Sequence, residues 1–103
     1  MTRWFLYLIR TKNGALYTGI TTDVARRVAE HGGTDGRGAK YLRAKGPLQV
    51  AYQVEIGSRE LALKVEHRMK GLPKGMKEAI VRSDPSDSEL LRLLSLDAPR
   101  GPA

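Results

Sequence analysis

The sequence predicts one small α/β (α+β) domain with the element order β-β-α-β-α-α. Three observations carry this reading. The opening stretch MTRWFLYLIR is apolar on both alternating faces, TKNG followed by ALYTGI reads as a hairpin, and the apolar period changes from two to a helical one after residue 58.

Each element has its own signal. On the first strand Trp4, Leu6 and Leu8 share one face and Phe5, Tyr7 and Ile9 the other, the pattern of a central strand covered above and below. The hairpin loop has two solutions. A two-residue Asn13-Gly14 turn pairs Lys12 with Ala15 and sends Tyr7 and Tyr17 to opposite faces. A three-residue loop, Lys12-Asn13-Gly14 with Gly14 left-handed, pairs Thr11 with Ala15 and puts both tyrosines on one face. Local signals allow either.

Thr21, Thr22 and Asp23 supply capping chemistry for a helix from about Asp23 to His31. Val24, Arg27, Val28 and His31 share one side of it, while Arg26 and Glu30 form a solvated i,i+4 pair on another. The Gly-rich connection GGTDGRGAKYLRAKGP leads to LQVAYQVEI. There Leu48, Val50, Tyr52, Val54 and Ile56 alternate with Gln49, Ala51, Gln53 and Glu55, as in a half-buried strand at a sheet edge. Ser58 can cap a second helix through about Gly71 with the stripe Leu61, Val65, Met69 and Leu72. Pro73 suits the first turn of a short third helix to about Arg82. Ser86 and Glu89 form a capping-box pattern ahead of a leucine-rich turn or two.

Charge divides the 103 residues unevenly. Residues 1–82 hold 16 of the 18 basic and 7 of the 11 acidic side chains, so a basic body precedes a mildly acidic, leucine-containing tail at 83–103. The expected division is a folded domain at 1–82 and a short tail whose end is disordered. The basic body points to a polyanionic partner, nucleic acid first. No cysteine is present, which removes disulfides and thiolate metal sites. No apolar run is long enough to span a bilayer and no signal peptide is recognisable, so a cytoplasmic location is expected.

Several groups could carry chemistry, and each also has an ordinary explanation. Tyr7 and Tyr17 are either strand tyrosines packing on a pleated surface or a phenol pair that orients or deprotonates a water. Arg27 either lays its stem over the sheet or aims its guanidinium at a phosphate. His31 is a helix C-terminal cap, a phosphate contact or a proton carrier. Glu66, at the shoulder of the second helix stripe, is a solvated carboxylate or the one protein ligand of a Mg²⁺ ion. No second acidic residue lies close by in sequence, which argues against a two-metal site. Arg37, Lys40, Arg43 and Lys45, with Tyr41 interleaved, make either a solvated loop or a strip that tracks a nucleic-acid backbone, to which Arg26 would add.

Together these residues resemble the GIY-YIG nuclease domain. The likeness rests on Phe5-Leu6-Tyr7, on Tyr17-Thr18-Gly19, on Arg27 ten residues beyond Tyr17, on His31 ending the same helix, and on Glu66 on the next. It extends in order over about residues 3–82. LYTGITTD, GAKY and GPL resemble the small single-domain bacterial members of that superfamily.

The resemblance implies a three-stranded antiparallel sheet flanked by helices, and divalent-metal-dependent cleavage of a nucleic-acid phosphodiester, DNA before RNA. On it Glu66 would hold one Mg²⁺ or Mn²⁺. Tyr17 or Tyr7 would help orient or deprotonate the attacking water, Arg27 would pair with the scissile phosphate, and His31 would assist as phosphate contact or proton relay. It favours the three-residue hairpin loop, since both tyrosines must reach one pocket. The chain departs from the pattern at Thr18, where the family has isoleucine, and at Ile20, where several members have lysine. Many family nucleases carry a separate DNA-reading domain; here little sequence specificity is expected. The alternative is a non-catalytic basic nucleic-acid-binding module that retains the fold.

Overall fold

The computed structural model describes residues 2–31 and 48–96, with the backbone alone at His31. Strands β1 (Trp4–Arg10), β2 (Leu16–Thr21) and β3 (Gln49–Gly57) form an antiparallel sheet in the order β2-β1-β3. Helix α1 (Val24–His31) follows β2. Helices α2 (Arg59–Lys70), α3 (Lys74–Ser83) and α4 (Asp87–Leu93) follow β3. The central place of β1 explains why its sequence is apolar on both faces, because both are covered.

The hairpin takes the three-residue loop. The Thr11 amide donates to Ala15 O at 2.9 Å, the Gly14 amide to Thr11 O at 2.9 Å, and Gly14 has φ +88°. Tyr7 consequently faces Gly19 across the ladder and Ile9 faces Tyr17, so both tyrosines project from the same face.

That face carries the smaller cluster. Tyr7, Ile9 and Val24 are buried there, with Phe5, Tyr17, Val28, Leu48 and Val50 packed around them. The opposite face carries the main core: Leu6, Leu8, Tyr52 and Ile56 from the sheet, Ala62, Val65 and Met69 from α2, Ile80 from α3, and Leu90 and Leu94 from α4 and its end.

Local chemistry places the helix starts. The Arg26 amide donates to Asp23 Oδ1 at 3.1 Å and opens α1; the Leu61 amide donates to Ser58 Oγ at 3.1 Å and opens α2. Pro73 is the N-cap of α3 rather than its first-turn residue. Ser86 and Glu89 form a reciprocal capping box at the start of α4.

Three sequence expectations are corrected. The strict alternation of β3 is broken by a register shift between Leu8 and Ile9, after which Val50 stands opposite Ile9 and packs in the smaller cluster with Leu48. The inward stripe of α2 runs through Ala62, Val65 and Met69, with Leu61 and Leu72 only partly buried. Glu30 does not form a solvated pair with Arg26; its partner is Arg27.

Residues 84–96 extend the main core. Leu90 and Leu94 are buried in it, Tyr52 Oη donates to Pro85 O at 2.7 Å, and Arg68 Nη1 donates to Leu94 O at 2.6 Å. Among the described residues no helix is long and apolar enough to cross a membrane.

Candidate active site

Tyr7 sits at the centre of the smaller cluster, buried to 2% exposure. Its ring lies directly over Gly19 on the neighbouring strand, in space that a β-carbon would occupy. Gly19 is needed there for room and not for an unusual backbone angle, since it is not among the glycines with positive φ. The phenol thus crosses β2 towards the edge of the sheet. Burial pushes it up to about 12, the nearby Tyr17 phenol adds to the effect, and the Glu66 carboxylate adds a smaller part. A hydrogen bond and the positive charge of Arg27 oppose the rise. Tyr7 is therefore a neutral phenol at neutral pH.

Arg27 approaches Tyr7 from α1. Its guanidinium is close enough to act on the Tyr7 phenol, and Nη1 donates to Glu30 Oε1 at 2.8 Å. The Glu30 side chain is only 13% exposed and that of Arg27 33%, so this i,i+3 pair lies against the cluster and not in open solvent. The bond to Glu30 is the main reason the guanidinium is held above its ordinary value. A guanidinium clamped at one nitrogen by a half-buried carboxylate keeps its direction while other N–H groups face the tyrosine side.

Glu66 comes from the other side of the sheet. Helix α2 packs along β2, β1 and β3, and Glu66 stands on its shoulder beside the buried Ala62, Val65 and Met69. Its side chain is 20% exposed, and Lys70 Nζ lies 3.4 Å from Oε2. Because β2 is an edge strand and Gly19 has no side chain, the charge of Glu66 is felt by Tyr7 on the opposite face.

Four of the sequence-predicted residues are thus brought together, with Tyr17 of β2, Arg27 of α1 and Glu66 of α2 all acting on the Tyr7 phenol of β1. His31 is the last residue of α1, and its side chain lies outside the described residues. Arg26 is exposed on α1, and Arg37, Lys40, Arg43 and Lys45 lie outside the described residues. Sequence reasoning misses Glu30 as a neighbour of the site. Its i,i+3 spacing to Arg27 is legible, but an i,i+4 pairing with Arg26 satisfies the same charge.

Among the described residues no three histidine, aspartate or glutamate side chains come together. Among the described residues the candidate donor is the half-buried Glu66 carboxylate, Glu30 being bound to Arg27. That fits a hard cation such as Mg²⁺, which keeps most of its waters and takes one or two carboxylates plus phosphate oxygens. It suits Mn²⁺ equally, and it differs from the nitrogen and sulfur cages that hold zinc or copper.

The model of the GIY-YIG catalytic domain matches residues 3–79. UPF0213 protein YhbQ of Salmonella arizonae is 52% identical over 94 residues, covering 91% of this chain and 92% of its own. UPF0213 protein Ent638_3592 of Enterobacter sp. is 54% identical over 91 residues, covering 88% and 87%. The solution NMR structure of UPF0213 protein BH0048 from Bacillus halodurans is similar with a TM-score of 0.53 and 35% identity, over 90% of this chain and 97% of that one. The chain therefore belongs to the GIY-YIG catalytic domain family, alongside the small bacterial UPF0213 proteins.

Proposed function

We propose that the chain is a divalent-metal-dependent nuclease that hydrolyses phosphodiester bonds in DNA with little sequence specificity. The observation that supports this best is that a second phenol, a clamped guanidinium and a carboxylate, drawn from both faces of the sheet, all act on the Tyr7 phenol.

Glu66 is the residue that would hold one Mg²⁺ or Mn²⁺. When bound, the ion polarises the phosphate and stabilises the leaving oxygen. Arg27, with its direction fixed by Glu30, binds a non-bridging phosphate oxygen as negative charge builds up there. Tyr7, neutral at neutral pH and beside the Arg27 charge, offers its phenolic proton as a hydrogen-bond donor. Tyr17, half-buried on the same face, orients the attacking water and, as it accepts that water's proton, passes its own phenolic proton to His31. The basic body and the residues of the 37–45 connection hold the flanking backbone.

The test is cleavage of end-labelled single-stranded, duplex and branched DNA, and of one RNA, with Mg²⁺, with Mn²⁺ and with chelator. Metal-dependent cutting of DNA is expected. Salt-sensitive binding without cutting under every condition would replace this reading with that of a non-catalytic nucleic-acid-binding module.

A further inference from the structure

We infer that the outer edge of α2 is a second backbone track, on which Arg59 and Lys70 hold nucleic-acid phosphates to either side of Glu66. The inference rests on the nuclease reading for the role of Glu66, but the track is a binding surface and can be tested apart from it.

At 3.6 residues per turn, positions 59, 66 and 70 fall within about 40° of one another on α2. They form one stripe beside the buried line of Ala62, Val65 and Met69. At a rise of 1.5 Å per residue, Arg59 lies about 10 Å before Glu66 along the axis and Lys70 about 6 Å after it. A nucleic-acid strand presents one phosphate per about 3.4 Å of axis, so the stripe matches a run of about five phosphates.

The two cations are held in different ways, and neither is tied up as the Arg10–Glu78 pair is, by two short hydrogen bonds. Arg10 and Lys74 share Glu78, Arg3 pairs with Glu55, and Arg27 with Glu30. Among the described residues Arg59 has no carboxylate partner. Its guanidinium instead lies over the Trp4 ring, 5.6 Å from the centroid, and the residue stays exposed. Stacking on an aromatic face holds the guanidinium without neutralising it. Lys70 is 57% exposed, and Glu66 is its ion-pair partner. Once the Glu66 charge is taken by a cation, Lys70 is left with its full charge next to the scissile position.

The experiment is fluorescence anisotropy of a labelled 20-nucleotide duplex with the whole chain, in chelator so that nothing is cut and with Glu66→Gln in every protein so that Lys70 is unpaired, from 50 to 200 mM KCl. Arg59→Ala and Lys70→Ala are compared with Arg92→Ala, an equal charge loss on exposed α4. Releasing one phosphate lowers the slope of log K against log salt by about 0.9, so affinity changes about 3.5-fold less over that range. Arg59→Lys keeps the charge and is expected to keep the slope. Reduced slopes for Arg59→Ala and Lys70→Ala, with Arg92→Ala unchanged, support the track even if cleavage is never seen. Slopes equal to that of Glu66→Gln alone in both overturn the track while leaving a cutting enzyme intact. An absence of binding overturns both readings.

Discussion

The ring of Tyr7 occupies the space that a side chain at Gly19 would fill: a β-carbon there would stand 2.5 Å from Tyr7 Cζ. The two residues are cross-strand partners, so the glycine sets where the phenol points. Gly19→Ala is expected to cost about 1–3 kcal/mol through overpacking. Combining it with Tyr7→Ala should remove most of that penalty, a non-additivity readable in urea denaturation of the two single variants and the double. Additive losses would mean that the ring does not depend on the glycine.

Thr18 is 4% exposed, and among the described residues its hydroxyl has no hydrogen-bond partner. It stands opposite Leu8, towards the main core. Thr18→Val keeps the shape and removes the unsatisfied group, so it should stabilise the fold by about 1 kcal/mol. For a domain of this size that is a rise in Tm of about 4–8 °C, checked by thermal unfolding.

Among the described residues, two tyrosines are held against ionisation. Tyr7 and Tyr52 are each pushed up to about 12, chiefly by burial, with Asp84, Asp87 and Glu89 contributing at Tyr52. Between pH 10 and 12 the unfolded chain loses these protons while the folded chain retains them, so stability is full below pH 10 and declines as pH rises through that window. Absorbance titration should show late-ionising phenols that are lost in Tyr7→Phe and in Tyr52→Phe. The alkaline loss of Tm should shrink in Tyr52→Phe, a variant that also gives up the hydrogen bond to Pro85 O.

Arg10 grips Glu78 with two hydrogen bonds of 2.8 and 2.7 Å and ties the central strand to α3. That grip holds the Glu78 carboxyl below its ordinary 4.5. Its contribution to stability is therefore complete above pH 4.5 and is lost as pH falls through the depressed value. Glu78→Gln should lower Tm at neutral pH and flatten the acid limb of the Tm–pH curve. An unchanged limb would show that the pair does not act on stability.

Legibility followed the range of the forces involved. The doubly apolar β1, the capping groups Asp23, Ser58 and Ser86 and the edge character of β3 are local features and could be read directly. The hairpin loop could be chosen only by asking that Tyr7 and Tyr17 share a pocket, a non-local demand. What escaped was long-range or degenerate. The register shift opposite Leu8 and Ile9 depends on the neighbouring strand. The burial of Leu90 and Leu94 depends on a core that the acidic charge of their segment conceals. Glu30 had two arginines in reach, and only packing against Tyr7 decides for Arg27. The set around Tyr7 was readable as residue types in order, but not as side chains meeting across a sheet edge.

The most direct measurement of the central claim is the rate of cleavage of the best DNA substrate by wild type and by Glu66→Gln across a Mn²⁺ titration, with folding of both verified by thermal melting. A metal-dependent rate in the wild type that falls by about 10²-fold or more in the variant is the predicted result. A Glu66→Gln rate equal to the wild type at every Mn²⁺ concentration would contradict the account.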